Sequence, residues 1–363
     1  MIIVTGATGF VGSRLFHRLS VERGDREVAA VVRAASDEAA AARLAGQLAS
    51  AAAADGDASG PMRRPLAFAG DVMRPMLGLG PEALAALERR GVGEIWHAAA
   101  NVSFTDPADE ELVAENVEGT RTVLDLAAHL GAARVVYVST AYAAGLVDGP
   151  APEALHDPGR RFRNAYERSK CLCEQLVAET CTRRGIDFHI LRPSIVIGPS
   201  TTFATGGARF GLYGVLEMLR RGVRGAERPL RVRYDPEATL NLVPIDWLVE
   251  AMISTQRLDR AGAVVHLTTP HPTSLGAVRH AFVRRTGAPV PIPVTDLPAD
   301  ATSAERRLDA QLSRFHPYMS GRQDFESSFF EGPELTAAMI DGYVGAFLDE
   351  VANAGKHRRA AAR

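Results

Sequence analysis

Lysine is almost missing from this 363-residue chain: of 41 cationic side chains, only Lys170 and Lys356 are lysines and the rest are arginines. Cysteine is scarce too, and Cys171, Cys173 and Cys181 crowd into one stretch with helical patterning. That excludes a disulfide framework and fits a reducing compartment. "CLC" without companion ligands is no metal spacing, so buried thiols are expected and no metal site is. No run of eighteen apolar residues occurs, which excludes a transmembrane helix. Strand-like "IIVTG" already begins at residue 2, which leaves no signal peptide, so the cytoplasm is the expected location. A formal net charge of −2 offers no global attraction to nucleic acid, and no such partner is expected. What remains is a globular chain long enough for one large domain with a smaller lobe.

Short β-branched runs alternate with helical patterns through the first two thirds. Strands are expected near 2–5, 27–32, 66–69, 94–98, 134–139, 187–191 and 263–268, each nearly continuous in apolar residues, as for parallel strands covered on both faces. Helices are expected near 10–23, 36–54, 81–90, 109–130 and 164–184. "DGDASG" reads as the polar loop that ends the second of them. The alternation predicts an α/β fold, a Rossmann-type doubly wound parallel sheet. After "RPSIVIGPS" the alternation fails. Residues 1–198 with 236–270 are therefore expected to form the dinucleotide-binding domain, and 199–235 with 271–363 a smaller C-terminal substrate-binding lobe.

"VTGATGFVG" follows the first strand and opens a helix. Gly6, Gly9 and Gly12 allow a tight turn, a close approach to a pyrophosphate and close helix packing, while the helix N-terminus offers free N–H groups to phosphate. At the end of the second strand a carboxylate would select NAD. This chain has "AVVRAASDEAAAARL", with Arg33 at the strand end and no carboxylate before Asp37. A guanidinium suits the 2′-phosphate of NADP, and Arg43 is placed to reach it from the following helix, so NADPH is the expected cofactor. Asp71 of "GDVMRP" is a candidate acceptor for the adenine amino group. Ala98, Ala99 and Ala100 are small enough to lie under a cofactor or to be core alanines. His97 is expected to be a packed, hydrogen-bonded strand residue. Ser139 and Thr140 end the fifth strand as candidate partners of a substrate carbonyl, or as turn caps.

"YERSK" places Lys170 four residues after Tyr166, on one helix face. An ammonium beside a phenol favours phenolate, which would bring the proton donor toward neutral pH.

These stretches, with "WHAAANVSF", "NVEGTRTVLDLA", "VSTAY", "LRPSIVIGP" and "NLVPIDWLVEAM", resemble the extended short-chain dehydrogenase/reductases over roughly residues 1–270. Within them the chain is most similar to the fatty acyl-CoA reductase and male-sterility group and to the thioester reductase domains of carboxylic acid reductases and peptide synthetases. The resemblance implies that Tyr166 is the general acid, that Lys170 lowers its pKa and holds the nicotinamide ribose, and that Thr140 orients the carbonyl. Asn116 would be a supporting residue, or simply a polar group buried in its helix. The resemblance extends the cofactor set to Thr8, Phe10 and Val11 in the glycine turn, Val72 beside Asp71, and Pro193, Ser194 and Ile195.

The implied reaction is NADPH-dependent reduction of an acyl thioester to an aldehyde, or onward to an alcohol, with acyl-CoA or an acyl carrier protein as donor. The chain is expected to stand alone, without adenylation or carrier domain, and to pair as a homodimer through the helices near 109–130 and 164–184. Seven arginines within residues 209–233 (Arg209, Arg220, Arg221, Arg224, Arg228, Arg231 and Arg233) are either a docking patch for that donor or a solvated face. "GKHRRAAAR" reads as a terminal tail. The rival readings are an extended reductase or epimerase acting on a free carbonyl or hydroxyl, of steroid or nucleotide-sugar type, and a dinucleotide-binding sensor without chemistry. The retained Tyr–Lys pair argues against the sensor.

Overall fold

Seven apolar runs become one parallel sheet. In the computed structural model, residues 1–22, 27–57, 65–104 and 109–361 are described, with side chains to residue 354. The strands are β1 (Ile2–Thr5), β2 (Val28–Val32), β3 (Leu66–Ala69), β4 (Glu94–His97), β5 (Arg134–Val138), β6 (Asp187–Pro193) and the strand Ala263–Leu267. From one edge their order is Ala263–Leu267, β6, β5, β4, β1, β2, β3, every pair parallel. The order reverses between β1 and β4, and in such sheets the crevice at the carboxyl ends beside that reversal is the ligand site.

Five helices connect the strands: α1 (Phe10–Glu22), α2 (Asp37–Asp55), α3 (Pro81–Arg90), α4 (Glu110–His129) and α5 (Ala165–Arg184). Local signals fix their ends. Ser36 caps α2 by accepting from Ala39 N–H at 3.2 Å, Asp109 caps α4 through Leu112 N–H, and Asn164 caps α5 through Glu167 N–H at 3.0 Å. Gly56 and Gly185 end α2 and α5 in the left-handed conformation. Ile3, Ala29, Ile95, Val135 and Ile190 of the strands share one core with Leu87, Val123, Leu126 and Val177 of α3, α4 and α5. Their strand neighbours Ile2, Val4, Ala30, Trp96 and Val136 are buried as well, so both sheet faces are covered. The doubly wound expectation is borne out. The second half of "DGDASG" and the last residue of the expected first helix lie outside the described residues.

The chain divides into two units. One holds Met1–Ser194, Leu248–Thr268 and Phe325–Phe330; the other holds Ile195–Trp247, Thr269–Asp324 and Glu331–Arg363. These units differ from the expected boundaries at residues 195–198, 236–247, 269–270 and 325–330. Residues 236–247 join the second unit because Leu242–Pro244 pairs with Ile195–Ile197 and Thr239–Leu240 pairs with Thr273–Ser274. Phe325–Phe330 returns to the first unit because Phe325 bridges Ala151 and Glu326 N–H donates to Ala151 C=O at 2.9 Å. Residues 355–361 of the stretch read as a tail continue the helix Ala337–Ala361; its last two residues lie outside the described residues. Among the described residues, no helix is long and apolar enough to cross a membrane.

Candidate active site

The glycine turn is built by close approach. Gly6 has φ +75°, and a Cβ there would sit 2.5 Å from Ala99 N. A Cβ on Gly12 would sit 2.1 Å from Gly6 O, so α1 rests directly on the turn. Gly9 differs: its Cβ would meet only Gly6 O at 3.2 Å, and the residue is exposed. Its smallness serves no neighbour in the protein, which is what a phosphate resting on the backbone requires.

A cleft of about 490 Å³ opens there. It is lined by Gly6, Thr8 and Gly9 of the turn, by Arg33 and Arg43, by Asp71 and Val72, and by Ala98, Ala99 and Ala100. Asn101, Glu115, Asn116 and Gly119 also line it. Asn101, Glu115 and Gly119 carry no local sequence signal that marks them as cleft residues; only the fold brings them to this wall. A Cβ on Gly119 would lie 3.3 Å from Val72 Cγ2, so its smallness lets Val72 seat against α4. Asp71 accepts from Met73 N–H at 3.0 Å, which sets its carboxylate in a turn at the wall of the cleft.

Arg43 Nη1 donates to the Arg33 carbonyl at 2.7 Å, and Arg33 makes no ion pair among the described residues. Asp37, the first carboxylate after β2, accepts from Ala69 N–H at 2.7 Å instead of facing the cleft. A dinucleotide fits these residues: a bare backbone turn, small alanines and two guanidinium groups at the β2 end.

Phe10, Val11 and Gly12 do not line the cleft; Phe10 carries the Arg14 guanidinium 4.7 Å above its ring. Pro193 ends β6. Ser194 follows with a buried Oγ that has no hydrogen-bond partner among the described residues, and it does not line the cleft. Ile195 belongs to the second unit, where a Cβ on Gly211 would lie 3.0 Å from its Cγ2.

Tyr166 lies in the first turn of α5 and Lys170 one turn later. Lys170 is buried. Its Nζ donates to the Val138 carbonyl at 2.6 Å and lies 4.1 Å from the centre of the Tyr137 ring. Burial lowers its pKa to about 8. Tyr166 is half-buried, with Phe104 at 6.2 Å between ring centres. Burial, and then the Glu167 carboxylate, hold its phenol above the ordinary range. The expected lowering of Tyr166 by Lys170 is therefore not found: the ammonium is turned to the β5 end, and burial dominates. Thr140 follows that same strand end, and its Oγ accepts from Tyr142 N–H at 3.3 Å. No described residue takes its hydroxyl proton.

Asn116 is fixed rather than loose. Its amide accepts from Asn101 N–H at 2.7 Å and donates to Asn101 C=O at 3.0 Å and Ser169 Oγ at 2.8 Å. His97 lies between Thr5 Oγ1 (2.7 Å) and Thr120 Oγ1 (3.2 Å), and burial lowers its pKa to about 3, so it is a neutral packed residue as expected. The three cysteines are free and buried.

Sequence reading missed the buried charge beside Thr140. Arg192 and Glu174 are fully buried and paired through 2.9 Å and 2.6 Å contacts. Glu174 also accepts from Ser139 Oγ at 2.5 Å, while Arg192 donates toward His156 Nε2 and His266 Nε2. His266 Nδ1 in turn donates to Glu326 C=O at 2.6 Å. The pair thus ties β6, α5 and the returning segment Phe325–Phe330 to the residue before Thr140.

The male sterility protein family matches residues 4–252. The chain is 34% identical over 275 residues to the isonitrile lipopeptide synthase of Streptomyces coeruleorubidus, covering 74% of this chain and 18% of that one. It is 31% identical over 265 residues to the nonribosomal peptide synthetase cpsA of Aspergillus campestris, covering 70% of this chain and 24% of that one. It therefore spans a quarter or less of these relatives' length. The terminal R domain from the myxalamid PKS-NRPS biosynthetic pathway superposes with a TM-score of 0.75 at 25% identity, over 96% of this chain and 90% of that domain. By sequence, sheet and cleft, the chain belongs to the male sterility protein family of nicotinamide-binding oxidoreductases.

Proposed function

We propose that the chain is an NADPH-dependent thioester reductase that receives an acyl group from a carrier protein and releases it as an aldehyde, with Thr140, Tyr166 and Lys170 as its catalytic residues. The observation that carries the reading is Tyr166 and Lys170 on one face of α5, with Lys170 tied to the strand end that leads into Thr140. Similarity to synthetases and to a terminal R domain supports the thioester as substrate. Arg33 and Arg43 at the cleft, with Asp37 turned away, support NADPH over NADH.

NADPH held in the cleft would supply the hydride that attacks the thioester carbon. Thr140, whose oxygen is occupied by Tyr142 N–H, donates its free proton to the carbonyl oxygen and orients it. Tyr166 keeps its proton near neutral pH because burial holds it there. It gives that proton up only as the oxygen becomes a strong base, which is what a general acid must do. Lys170, with a pKa of about 8, is mostly charged at pH 7; it would offset the phenolate and hold a ribose hydroxyl of the bound cofactor. The hemithioacetal then collapses, its C–S bond breaking to give an aldehyde and a free thiol.

The test follows NADPH absorbance and thiol release together, with acyl thioesters on a carrier domain. Thiol release matched to NADPH oxidation, cut about 10³-fold by Tyr166→Phe, supports the reading. Turnover of a ketone or nucleotide sugar without any thiol release from thioesters would replace it with the free-carbonyl reading.

A further inference from the structure

The seven arginines of residues 209–233 do not remain a uniform basic patch. Glu217 takes Arg220 at 2.9 Å and Arg221 at 2.6 Å. Asp300 and Glu305 take Arg231 at 2.8 Å and 2.9 Å, and Asp309 takes Arg233 at 2.9 Å. Arg209 donates to Thr205 Oγ1 and Ala208 C=O. Arg224 and Arg228 are left without a hydrogen bond or ion pair among the described residues. A third such cation, Arg307, joins them from the helix Ser303–Leu312.

All three line one open cleft of about 600 Å³, with Arg221 at its rim and Glu227 as its one acid. With Arg221 already paired to Glu217, the three unpaired guanidinium groups against the Glu227 carboxylate leave two excess positive charges, on a chain whose net charge is −2. The cleft has firm walls. A Cβ on Gly222 would sit 2.7 Å from Leu308 Cδ1, so the helices Leu212–Gly222 and Ser303–Leu312 meet closely, and Ala226 N–H donates to Val223 C=O at 3.0 Å to hold the loop. Leu230 adds a partly exposed apolar side chain to the lining, while Leu308 is buried beneath it.

We propose that this cleft docks the acidic face of the acyl carrier domain that delivers the thioester, an inference that rests on the thioester-reductase reading. A single phosphate is held by converging, desolvated donors; here the guanidinium groups are all exposed and spread over a loop and a helix. An open cationic surface suits an acidic helix instead, and electrostatic steering suits a partner that must arrive and leave in every cycle.

The experiment compares the native chain with the triple variant Arg224→Glu, Arg228→Glu, Arg307→Glu. These side chains have no partner in the fold, so the melting temperature stays unchanged. KM for a carrier-bound acyl thioester rises at least tenfold at low salt, kcat stays the same, and the N-acetylcysteamine thioester of the same acyl group is reduced as before. The difference fades near 1 M salt, where the screening length is about 3 Å, and a carrier whose recognition-helix carboxylates are replaced by lysine restores binding to the variant. An unchanged KM for the carrier, an equal loss on the N-acetylcysteamine thioester, or a loss confined to acyl-CoA overturns the proposal; the last would mark a nucleotide-phosphate site. If the native chain reduces neither thioester, the reductase reading fails, and anisotropy of a labelled holo-carrier domain against both proteins still decides the docking surface.

Discussion

Gly9→Ala and Gly12→Ala add the same methyl group three residues apart and should fail in opposite ways. At Gly12 the new Cβ lies 2.1 Å from Gly6 O and 2.7 Å from Gly6 C. Ordinary contact begins at 3.4 Å, so α1 would have to retreat by about 1.3 Å from a turn that is itself backbone. No side chain can swing away, which puts the cost at the upper end of overpacking, about 3 kcal/mol. At Gly9 the obstacle is Gly6 O alone at 3.2 Å, a matter of a few tenths of an ångström. Stability should change by less than about 1 kcal/mol, partly in favour of alanine through the unfolded chain. The methyl would nevertheless stand where a pyrophosphate must touch the backbone. Losing one charge-assisted hydrogen bond of about 1.5–3 kcal/mol weakens dinucleotide binding about 10- to 100-fold. Thermal unfolding with and without NADP⁺ separates the two. The native chain gains stability with ligand; Gly9→Ala should melt like the native chain without ligand but gain about 1–3 kcal/mol less with it, and Gly12→Ala should melt early in both conditions. Native-like ligand stabilisation of Gly9→Ala would refute the placement of phosphates over this turn.

Removing both cleft guanidinium groups (Arg33→Ala with Arg43→Ala) should raise KM for NADPH about 10- to 100-fold and leave NADH unaffected; parallel changes with both cofactors would remove the basis for NADPH preference. Glu174→Ala strands the fully buried Arg192 without a counter-charge and should cost about 3–5 kcal/mol in urea unfolding. Glu174→Leu with Arg192→Met should be less damaging than that single change, and the reverse order would show that the pair is not a buried ion pair. His97, His156 and His266 have pKa values lowered to about 3, 4 and 3, burial being the largest cause in each. The unfolded chain binds their protons near pH 6.5 and the folded chain does not, so stability is full above pH 6.5 and falls as pH drops toward 4 and 3. Unfolding midpoints at pH 7.5, 5.5 and 4.5 measure the slope, and His266→Gln should flatten it; an unchanged slope would mean that His266 is not held neutral.

Local pattern determined a large share of this protein. The seven strands, the five helices, the glycine turn and the Tyr166–Lys170 face all follow from periodicity, caps and spacing within a few residues, and the structure places them where the sequence puts them. What local pattern cannot carry is the pairing of residues far apart in the chain. Asp37 is withdrawn from the cleft by Ala69 N–H, and Arg231 and Arg233 are neutralised by carboxylates about 75 residues downstream, so most of an apparent basic patch disappears. Arg192 reads in sequence as one more arginine of an arginine-rich chain, yet it is the fully buried partner of Glu174, and Phe325–Phe330 rejoins the first unit through an isolated bridge to Ala151. Burial also reversed the sign expected for Tyr166, because the ammonium that spacing set beside it bonds to Val138 instead. Sequence alone therefore set the elements and the candidate chemistry. Tertiary structure decided which charges stay free, which are cancelled and which protons are held, because those depend on distance and desolvation between residues that only the fold brings together.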